Sequence, residues 1–317
     1  MQINNSQFKK LESLSPKIYS VILTFNNYTD TYECVNSVLS NNFKVTGIVI
    51  VDNGSHDNST KKLLSVFGNN STIHFILNNQ NLGFAAGVNV GIRYALKQGA
   101  DYILLLNNDT IIDKNCISYL ISEISKSSSF AIAGPRIFYY NNPNKIWHGG
   151  GYFSYLKAGI VIPEKNKLST NFDETAKTVT FLTGCAMLIK NSIFDKIGFF
   201  DEDYFFYGED LDFCMRALRN GYTLLYVPKA KVWHKIESIA KDRTNPFYIY
   251  HLARSKILFL RKNFSSLYFL YGLLIHFLLY TPFRLLQIIS GSCTWNAVLA
   301  WFDGTLSGVF QSLQDVK

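Results

Sequence analysis

The sequence is poor in cysteine and in charged side chains. Its 317 residues include five cysteines, none of them in a Cys-x-x-Cys pair, which disfavours both a disulfide framework and a thiolate zinc site. Charged residues make up 17% of the chain and aromatic residues 15%, a composition that excludes a disordered or low-complexity protein. The N-terminal residues show no basic segment followed by an apolar run, so no secretory signal is expected. These absences predict a globular, cytosolic protein with reduced, structural thiols.

Positive charge is concentrated towards the C-terminal end of the sequence. Lys and Arg number 31 against 23 for Asp and Glu, which gives a net charge of +8. Residues 241–284 contain seven basic residues and one acidic residue, and so +6 of that total. A basic stretch embedded in apolar sequence predicts an anionic partner, either nucleic acid or a membrane surface. The residues concerned are Lys241, Asp242, Arg243, Arg254, Lys256, Arg261, Lys262 and Arg284.

A long uncharged segment lies inside this basic stretch. Residues 264–283, twenty positions, contain no Asp, Glu, Lys or Arg and are long enough to cross a membrane. A weak polar stripe at every fourth position and the flanking Arg261 and Lys262 favour instead helices that lie in the membrane interface or form an oligomer contact. A true span and a plain buried core stay open. The stripe consists of Tyr268, Gly272, His276, Tyr280 and Arg284, and Trp295 and Trp301 follow it.

The first part of the sequence alternates between short apolar runs and amphipathic helical patterns. Apolar runs bounded by Asn, Asp or Gly are typical of strands buried on both faces of a parallel sheet, and the alternation predicts right-handed βαβ units. Less regular sequence follows, with two further strands and a helix that ends at Asn220-Gly221. The predicted strands are 18–25, 45–51, 73–77, 102–106, 178–189 and 223–227, and the predicted helices are 30–40, 59–67, 85–98 and 210–219.

Four polar clusters lie where the predicted strands end. Ligands of open α/β sheets bind outside the carboxyl ends of the strands, so the clusters are expected to converge on one crevice. Each cluster alone is more typical of a turn or a helix N-cap than of a ligand site. The glycines do not have the Gly-x-Gly-x-x-Gly spacing, which disfavours a dinucleotide site. The clusters are 24–27, 51–57, 81–89 and 106–109.

Together the clusters form a more specific pattern. VDNGSHDNS from Val51, NLGFAAGVNVGI from Asn81 and LLLNNDTII from Leu104 resemble, in order and spacing, the family 2 glycosyltransferases of the GT-A fold. The likeness covers about residues 19–234. The family's Asp-x-Asp motif stands here as Asn-Asn-Asp at 107–109, a variant that is similar to bacterial rhamnosyltransferases using a dTDP-activated sugar.

The resemblance implies an α/β protein of the GT-A fold, in which a Rossmann-like nucleotide-binding sheet is joined to an acceptor subdomain. A helical, membrane-associated region follows at the C-terminal end. The implied organisation is a lead-in over 1–17, a nucleotide-sugar-binding subdomain over 18–115, an acceptor and catalytic subdomain over 116–240, and a basic, apolar helical region over 241–317.

A nucleotide-sugar donor and a divalent metal follow from the same resemblance. The nucleoside diphosphate that leaves carries several negative charges, and Mg²⁺ or Mn²⁺ held by one or two carboxylates stabilises them. Asp109 is the expected metal ligand, and His234 occupies the place of the family's metal-binding histidine. Donor contacts are implied for Thr24, Asn26, Asp52, Asn81, Gly83, Asn89, Asn107 and Asn108.

A second acidic motif supplies the expected catalytic base. Glu209 and Asp210 resemble the Glu-Asp signature of the family, in which Asp210 would take the proton of the acceptor hydroxyl. The alternative is that both acids only favour a helix N-terminus, an effect worth about 0.3–1 kcal/mol. Asp212 lies about 200° further around the helix and is expected to be structural. Acceptor contacts are assigned to Trp147, His148, Thr183, Gly184 and Glu209, and Arg254 to either diphosphate or lipid headgroups.

The sequence therefore predicts an inverting, metal-dependent glycosyltransferase. The expected reaction moves L-rhamnose from dTDP-rhamnose to a lipid-linked or polysaccharide acceptor. It takes place at the cytoplasmic face of the membrane, where the protein is peripheral or monotopic on an anionic surface and could form a homo-oligomer through its C-terminal helices. The alternative donor is a UDP-hexose or UDP-N-acetylhexosamine.

Two other classes of protein are weighed against this one. A non-enzymatic membrane- or nucleic-acid-binding protein would explain the charge, but the basic residues at 243–262 lie in an apolar amphipathic helix, so nucleic acid is not the expected partner. A nucleotidylyltransferase is disfavoured because residues 24–30 contain no basic side chain to hold a triphosphate.

Overall fold

The structure is a computed structural model that describes residues 15–169, 173–236, 245–290 and 294–310, without the side chains of 288 and 289. Predictions made for residues 1–14, for 241–243 and for Cys293 lie outside the described residues.

The first half of the chain forms four parallel strands joined by helices. Its elements are β1 (Ile18–Thr24), α1 (Tyr28–Leu39), β2 (Gly47–Asp52), α2 (Ser59–Phe67), β3 (Ile73–Leu77), α3 (Phe84–Lys97) and β4 (Tyr102–Asn107). The strands lie in the order β3, β2, β1, β4 and all pair in parallel, which confirms the predicted βαβ units. Their carboxyl ends therefore share one edge of the sheet.

The second half extends the same sheet in mixed directions. Its elements are β5 (Thr110–Ile112), α4 (Cys116–Ile124), β6 (Phe130–Tyr139), β7 (Asn142–His148), β8 (Tyr152–Ser154), β9 (Gly159–Val161), β10 (Lys177–Val179), β11 (Ala186–Lys190), α5 (Ser192–Ile197), α6 (Glu209–Arg219) and β12 (Thr223–His234). β11 joins β4 to β6 with antiparallel pairing on both sides, and β12 runs parallel to β6. β8 and β9 form a separate hairpin. One sheet thus carries residues from both predicted subdomains.

Two predicted strands have different bounds in the structure. The segment 178–189 is not a single strand, because a loop separates β10 from β11. β12 is longer than the predicted 223–227: it continues past Pro228 through a register shift between Val227 and Lys231. Both differences bear on the site, since the loop and the far end of β12 each bring residues to the carboxyl edge of the sheet.

The sheet is buried on both faces by helices. Val21 and Ile22 are both fully buried but belong to different hydrophobic clusters, because successive strand residues point to opposite faces. α3 and α6 pack on one face, and α1, α2 and α4 on the other. The four cysteines in the described part of the chain are buried and free, as predicted. Burial raises the pKa of Cys34 to about 12, which keeps that thiol protonated.

Helices make up the C-terminal region. They are α7 (Pro246–Asn263), α8 (Ser266–Ile275), a π-helical turn (His276–Tyr280), α9 (Thr281–Ile289) and α10 (Trp295–Phe310). α7 and α10 approach closely: a Cβ atom at Gly308 would lie 2.7 Å from the Arg254 carbonyl oxygen, so glycine is needed there. Ser266–Gln287 is long and apolar enough to cross a membrane by length and composition, and 17% of it is buried.

Candidate active site

Hydroxyl and amide groups join the ends of β1 and β4. Thr24, the last residue of β1, has its hydroxyl oxygen 2.7 Å from that of Thr31 in α1. Asn108 donates from Nδ2 to Thr31 Oγ1 at 2.9 Å. Because Thr31 is fully buried, this network fixes the turn 107–109 against the start of α1.

Asp52 shapes the loop after β2. Its Oδ1 accepts hydrogen bonds from the Ser55 backbone N–H at 3.2 Å and from the Ser55 hydroxyl at 2.5 Å, and its Oδ2 accepts one from the Thr60 hydroxyl at 2.7 Å. Asn26, in the left-handed region with φ 50°, accepts from the backbone N–H of His56 at 2.9 Å. The loop therefore lies at the same edge of the sheet as the end of β1, where the carboxylate can still accept a hydrogen bond from a ligand.

A buried asparagine that sequence reasoning missed holds the next turn. Asn53 donates from Nδ2 to Asn81 Oδ1 at 2.8 Å and to the Gly83 carbonyl at 3.1 Å. Its Oδ1 accepts from Asn78 Nδ2 at 3.1 Å. Its position directly after the β2 carboxylate is the one signal in the sequence that points to it.

Gly83 brings this turn against the segment that precedes α6. Its φ is +84°, and a Cβ atom at this position would lie 2.7 Å from the Phe205 carbonyl oxygen. The backbone N–H of Phe84 donates to the same oxygen at 2.8 Å. Glycine is thus required here by a close approach between two parts of the crevice.

Asn89 faces away from the crevice and holds the segment after α5. It is fully buried, its Nδ2 donates to the Phe200 carbonyl at 2.8 Å and to Glu202 Oε1 at 2.9 Å, and its Oδ1 accepts from the Phe200 N–H at 3.1 Å. Both polar atoms of the amide have protein partners. The structure therefore gives Asn89 a structural role in place of the predicted donor contact.

Replacement of Asn89 by alanine is expected to lower the free energy of unfolding by about 1–3 kcal/mol, because the Phe200 N–H and carbonyl would stay buried without partners. Urea unfolding of Asn89→Ala measures this loss. Nucleotide binding by the folded variant is expected to be unchanged. Normal stability combined with weakened nucleotide binding would show that Asn89 contacts the donor.

Asp109 and His234 meet where β5 and β12 pair. His234 stands opposite Thr110 in the register, and its Nε2 lies 3.0 Å from Asp109 Oδ1. The Trp147 ring lies edge-on to the His234 ring, with centroids 4.6 Å apart. Within the described residues, Asn107 Oδ1 and His234 Nδ1 are buried without a hydrogen-bond partner. The structure thus brings together the two residues predicted to hold a metal.

The Asp109–His234 pair fits a divalent cation that is shared with a ligand. Carboxylate and imidazole groups both bind such ions. No group of three or more His, Cys, Asp or Glu side chains forms a protein-only cage in the part of the chain that the structure describes. Mg²⁺ is commonly held by one or two carboxylates together with water and substrate phosphates. Two protein ligands therefore suit an ion that also binds a diphosphate.

Asp210 lies at the N-terminus of α6, after an unusual turn. Tyr207 adopts φ 66° and Gly208 φ 88°, a conformation uncommon for a residue with a side chain. Asp210 Oδ2 accepts the Gly184 N–H at 3.0 Å, and its Oδ1 accepts the Leu211 N–H at 2.8 Å. The loop between β10 and β11 supplies the first of these donors. The predicted acceptor residues found beside Asp210 are Thr183, Gly184 and Glu209.

Glu209 and Asp210 have different surroundings. Burial raises the pKa of Asp210 above its ordinary 3.8, and hydrogen bonds from the Gly184 and Leu211 N–H groups partly offset the rise. Glu209 is buried, with no hydrogen-bond partner for its Oε2 among the described residues. Burial and the charge of Asp210 raise the pKa of Glu209 well above its usual range. Burial thus disfavours the charged form at both positions, and the Gly184 and Leu211 N–H groups favour the charged form of Asp210.

Tyr207 lies near Asp210 and Asp109, and sequence reasoning had not singled it out. Burial, the neighbouring Tyr248 and the charges of Glu209, Asp210 and Asp109 all raise the pKa of Tyr207. Its hydroxyl therefore lies within the field of both carboxylate positions. Tyr207 is thus near enough to Asp210 and Asp109 to be affected by both carboxylates.

The predicted acceptor contact of His148 is not present. His148 is 2% exposed and packs on Phe181, with ring centroids 5.4 Å apart. Burial lowers its pKa to about 3, so it is a neutral residue of the core. Trp147, the other aromatic residue assigned to the acceptor, lies against His234, and its acceptor contact stays a prediction.

Asp212 has the structural role that its helix position predicts. Its Oδ2 accepts from Arg216 Nε and its Oδ1 from Asn263 Nδ2, each at 2.7 Å. The second contact ties α6 to the end of α7.

The sequence suggested that Arg254 contacts either a diphosphate or lipid headgroups. In the structure its side chain is buried inside the protein. It is 1% exposed, donates from Nη1 to the Asp203 carbonyl at 2.8 Å and donates from Nε to the Ser307 hydroxyl at 3.1 Å. The guanidinium therefore holds the segment before α6 against α7 and α10.

Known proteins resemble the chain in sequence and in fold. The low-salt glycan biosynthesis hexosyltransferase Agl10 of Haloferax volcanii is 28% identical over 220 residues, 66% of this chain and 67% of that protein. The dTDP-rhamnosyl transferase RfbF of Shigella flexneri is 26% identical over 257 residues, 79% of this chain and 82% of that protein. The crystal structure of GalNAc-T7 with UDP, GalNAc and Mn²⁺ superimposes with a TM-score of 0.60 at 17% identity, over 76% of this chain and 51% of that one. The chain thus spans about half of GalNAc-T7 and shares its fold.

The chain also matches a whole family. Residues 20–198 match the family described as Glycosyl transferase family 2, which is more than half of the 317-residue chain. This range contains Asp109 and ends before Asp210 and His234, so the roles of the latter two rest on their geometry. The mixed α/β sheet resembles that of the GT-A glycosyltransferases. The chain belongs to glycosyl transferase family 2 and is a glycosyltransferase.

Proposed function

We propose that this glycosyltransferase is inverting and metal-dependent, and that it moves L-rhamnose from dTDP-rhamnose to a lipid-linked or polysaccharide acceptor in cell-surface glycan synthesis. The observation that carries the proposal is the placement of Asp210. Its carboxylate is held by the Gly184 N–H at the start of α6, in the crevice that also contains the Asp109–His234 pair. A binding protein needs no base of this kind.

The proposed reaction is a single displacement. Asp210 accepts the proton of an acceptor hydroxyl while that oxygen attacks the anomeric carbon of the sugar. The new bond forms on the face opposite the phosphate, the bond from the anomeric carbon to the phosphate oxygen breaks, and the nucleoside diphosphate leaves with the electron pair. Mg²⁺ or Mn²⁺ held by Asp109 and His234 would supply the positive charge that this leaving group needs.

Two observations support dTDP-rhamnose as the donor. RfbF, which is similar over 79% of this chain, is by name a dTDP-rhamnosyl transferase. The Asn-Asn-Asp at 107–109 resembles the rhamnosyltransferase form of the Asp-x-Asp motif. The similarity to Agl10, a hexosyltransferase, supports the second candidate, a UDP-hexose or UDP-N-acetylhexosamine donor.

A thermal-shift panel of nucleotide sugars with Mn²⁺ distinguishes the donors. A ligand at about 100 times its Kd stabilises the fold by about 2.7 kcal/mol, so we expect dTDP-rhamnose to raise Tm more than any UDP-sugar does. dTDP alone and Mn²⁺ alone are the controls. A shift with UDP-sugars only would select the second candidate, and no shift with any nucleotide sugar would contradict the proposal.

The proposed place of the reaction is the cytoplasmic face of the membrane. A lipid-linked acceptor presents its saccharide at the bilayer surface, and Ser266–Gln287 has the length and composition of a membrane helix. The protein would then be peripheral or monotopic, and an oligomer formed through the same helices is the alternative use of this region.

A further inference from the structure

The positive charge of the C-terminal region is largely used inside the protein. Arg254 is buried between α7 and α10, as described above. Lys262 forms ion pairs with the carboxylates of Asp201 and Asp203, in the segment before α6. Both residues therefore serve to hold α7 on the catalytic domain.

The other basic residues described here also have partners. The ammonium group of Lys256 is buried and lies 3.0 Å from the centroid of the Tyr280 ring. Arg261 donates from Nη1 to the carbonyl of Val309 at 2.5 Å. Arg284 packs over the Trp301 ring, 5.3 Å from its centroid. Every basic side chain within 245–290 therefore contacts other groups of the protein.

Tyrosine hydroxyl groups of the helical run 266–289 bind the catalytic domain. Tyr268 donates from its hydroxyl to the Tyr155 carbonyl at 2.7 Å, and Tyr271 to the Leu156 carbonyl at 2.6 Å. Both acceptors belong to the connection between β8 and β9.

The same run is also fastened to α10. His276 Nε2 lies 2.9 Å from Thr305 Oγ1, and Trp301 Nε1 donates to Thr281 Oγ1 at 3.1 Å. The run is therefore held along the body of the protein from both ends, and the predicted polar stripe is its inner side.

The outer side of the run is apolar and uncovered. Leu267 is 80% exposed, and between Ser266 and Phe283 no side chain carries a formal charge. The two elements that contact the run expose large apolar residues as well: Leu156 of the hairpin connection is 78% exposed and Phe310 of α10 is 76% exposed. We call this surface the apolar face; the exposed residues on which the argument depends are Leu156, Leu267, Leu270, Leu278, Trp295 and Phe310.

We propose that the apolar face docks on a lipid bilayer, with the run 266–289 lying in the plane of the interface, and that apolar contact rather than charge holds it there. A helix that crosses the bilayer would have to leave the hairpin and α10 that bind its polar side. A protein partner would be expected to find a polar rim around an apolar centre, whereas this face presents a continuous row of Leu and Phe. Trp295, 66% exposed at the start of α10, is the type of residue found at membrane interfaces.

The inference replaces the electrostatic attachment that the sequence suggested. An amphipathic helix binds a bilayer through buried apolar area plus attraction to anionic lipid. Because the basic residues within 245–290 are engaged with the protein, the first contribution is expected to dominate. The inference extends the proposed function, but its test uses no sugar donor, so either can fail without the other.

Flotation of the full-length protein with vesicles of pure phosphatidylcholine tests the proposal. We expect the bound fraction to be retained when NaCl rises from about 0.1 M to about 1 M, a change that shortens the Debye length from about 10 Å to about 3 Å. Adding anionic phosphatidylglycerol is expected to change the bound fraction little. Binding restricted to anionic vesicles and lost at high salt would overturn the proposal in favour of charge.

Two matched double variants test which surface binds. Leu270→Asn with Leu278→Asn, both on the outer side of the run, is expected to weaken vesicle binding by at least about 10-fold. Leu64→Asn with Val66→Asn removes two exposed apolar side chains of α2 and is expected to bind as the unchanged protein does. Since all four side chains are exposed, the melting temperatures should stay close, which circular dichroism verifies.

Two further outcomes would also overturn the proposal. Resistance of the bound protein to alkaline carbonate extraction would show that the run spans the bilayer. Absence of vesicle binding, together with a dimer that the Leu270→Asn, Leu278→Asn variant dissociates in sedimentation, would show that a second copy of the chain covers the apolar face.

Discussion

Replacement of Asp210 by asparagine is expected to reduce kcat by about 10²–10⁴-fold, the usual contribution of general-base catalysis. Asparagine preserves the shape of the side chain but cannot accept the proton of the acceptor hydroxyl. The thermal shift produced by the donor should be unchanged, because the residues proposed to bind the nucleotide lie at or after the carboxyl ends of β1 to β4. Initial rates of sugar transfer, measured with saturating donor and Mn²⁺, give this comparison.

Glu209→Gln is the matched control for Asp210→Asn. Glu209 is buried and its pKa is raised, so we expect it to be protonated in the active enzyme, and glutamine imitates that form. We expect kcat of Glu209→Gln to stay within a few-fold of the unchanged enzyme. A collapse of activity in Glu209→Gln, with turnover retained in Asp210→Asn, would assign the base to Glu209 instead.

The pKa shifts of Asp210 and Glu209 predict how activity and stability depend on pH. Because burial raises the pKa of Asp210 above 3.8, the acid limb of kcat/KM should lie above the range of an ordinary aspartate. The raised pKa of Glu209 means that its proton stabilises the fold below the unfolded-state pKa and that this stability is lost as pH rises through the folded-state pKa. Glu209→Gln removes that loss, so its Tm relative to the unchanged enzyme should increase with pH. A Tm difference that is independent of pH would contradict the assignment of the proton.

The parts of the fold that the sequence predicts well depend on local pattern. β1, β2 and β4 are rich in Val, Ile and Leu because both faces of each strand are covered. Parallel pairing then places the polar residues after them at one edge, where Thr24 and Asn108 meet. Asp210 could be predicted in the same way, since two acids at the start of an amphipathic helix are visible without tertiary information.

Long-range partners account for what the sequence does not predict. The Asn89 amide and the Phe200 backbone are 111 residues apart, and Arg254 and the Asp203 carbonyl are 51 apart. Residue type shows that a polar group is present but not which distant group satisfies it once both are buried. For this reason the sequence predicted a donor contact for Asn89 and a diphosphate or lipid contact for Arg254. In the structure both side chains pair with backbone groups of distant segments.

The break between β10 and β11 has a related cause. Residues 178–189 are β-branched or apolar apart from Gly184, which locally favours a single strand. The structure opens this segment into a loop that lets the Gly184 N–H donate to Asp210. The interruption depends on α6, which lies later in the chain. The residues of 178–189 by themselves therefore do not predict it.

Replacement of Asp109 by asparagine is expected to weaken activation by Mn²⁺ by more than about 100-fold, since even residues that only orient metal ligands cost about 10–100-fold. The amide keeps the size of the side chain but removes the one formal negative charge of the 107–109 turn. Mn²⁺ titration of donor hydrolysis measures the effect, and electron paramagnetic resonance of Mn²⁺ with dTDP present measures binding directly. Asp113→Asn, which alters a carboxylate that caps the Asn115 N–H at 2.9 Å, is the matched control and should titrate normally.

His234→Gln extends this test to the second proposed ligand. If Asp109 and His234 hold one ion, each substitution removes much of the same interaction, so the double variant should lose clearly less than the product of the two single losses. Because His234 Nε2 and Asp109 Oδ1 are only 3.0 Å apart, the two side chains could couple without a metal ion. The two single variants and the double variant are therefore compared both with and without Mn²⁺. Coupling that appears only with Mn²⁺ supports a shared ion. Equal coupling under both conditions would make the pair a structural contact and would remove His234 from the metal site.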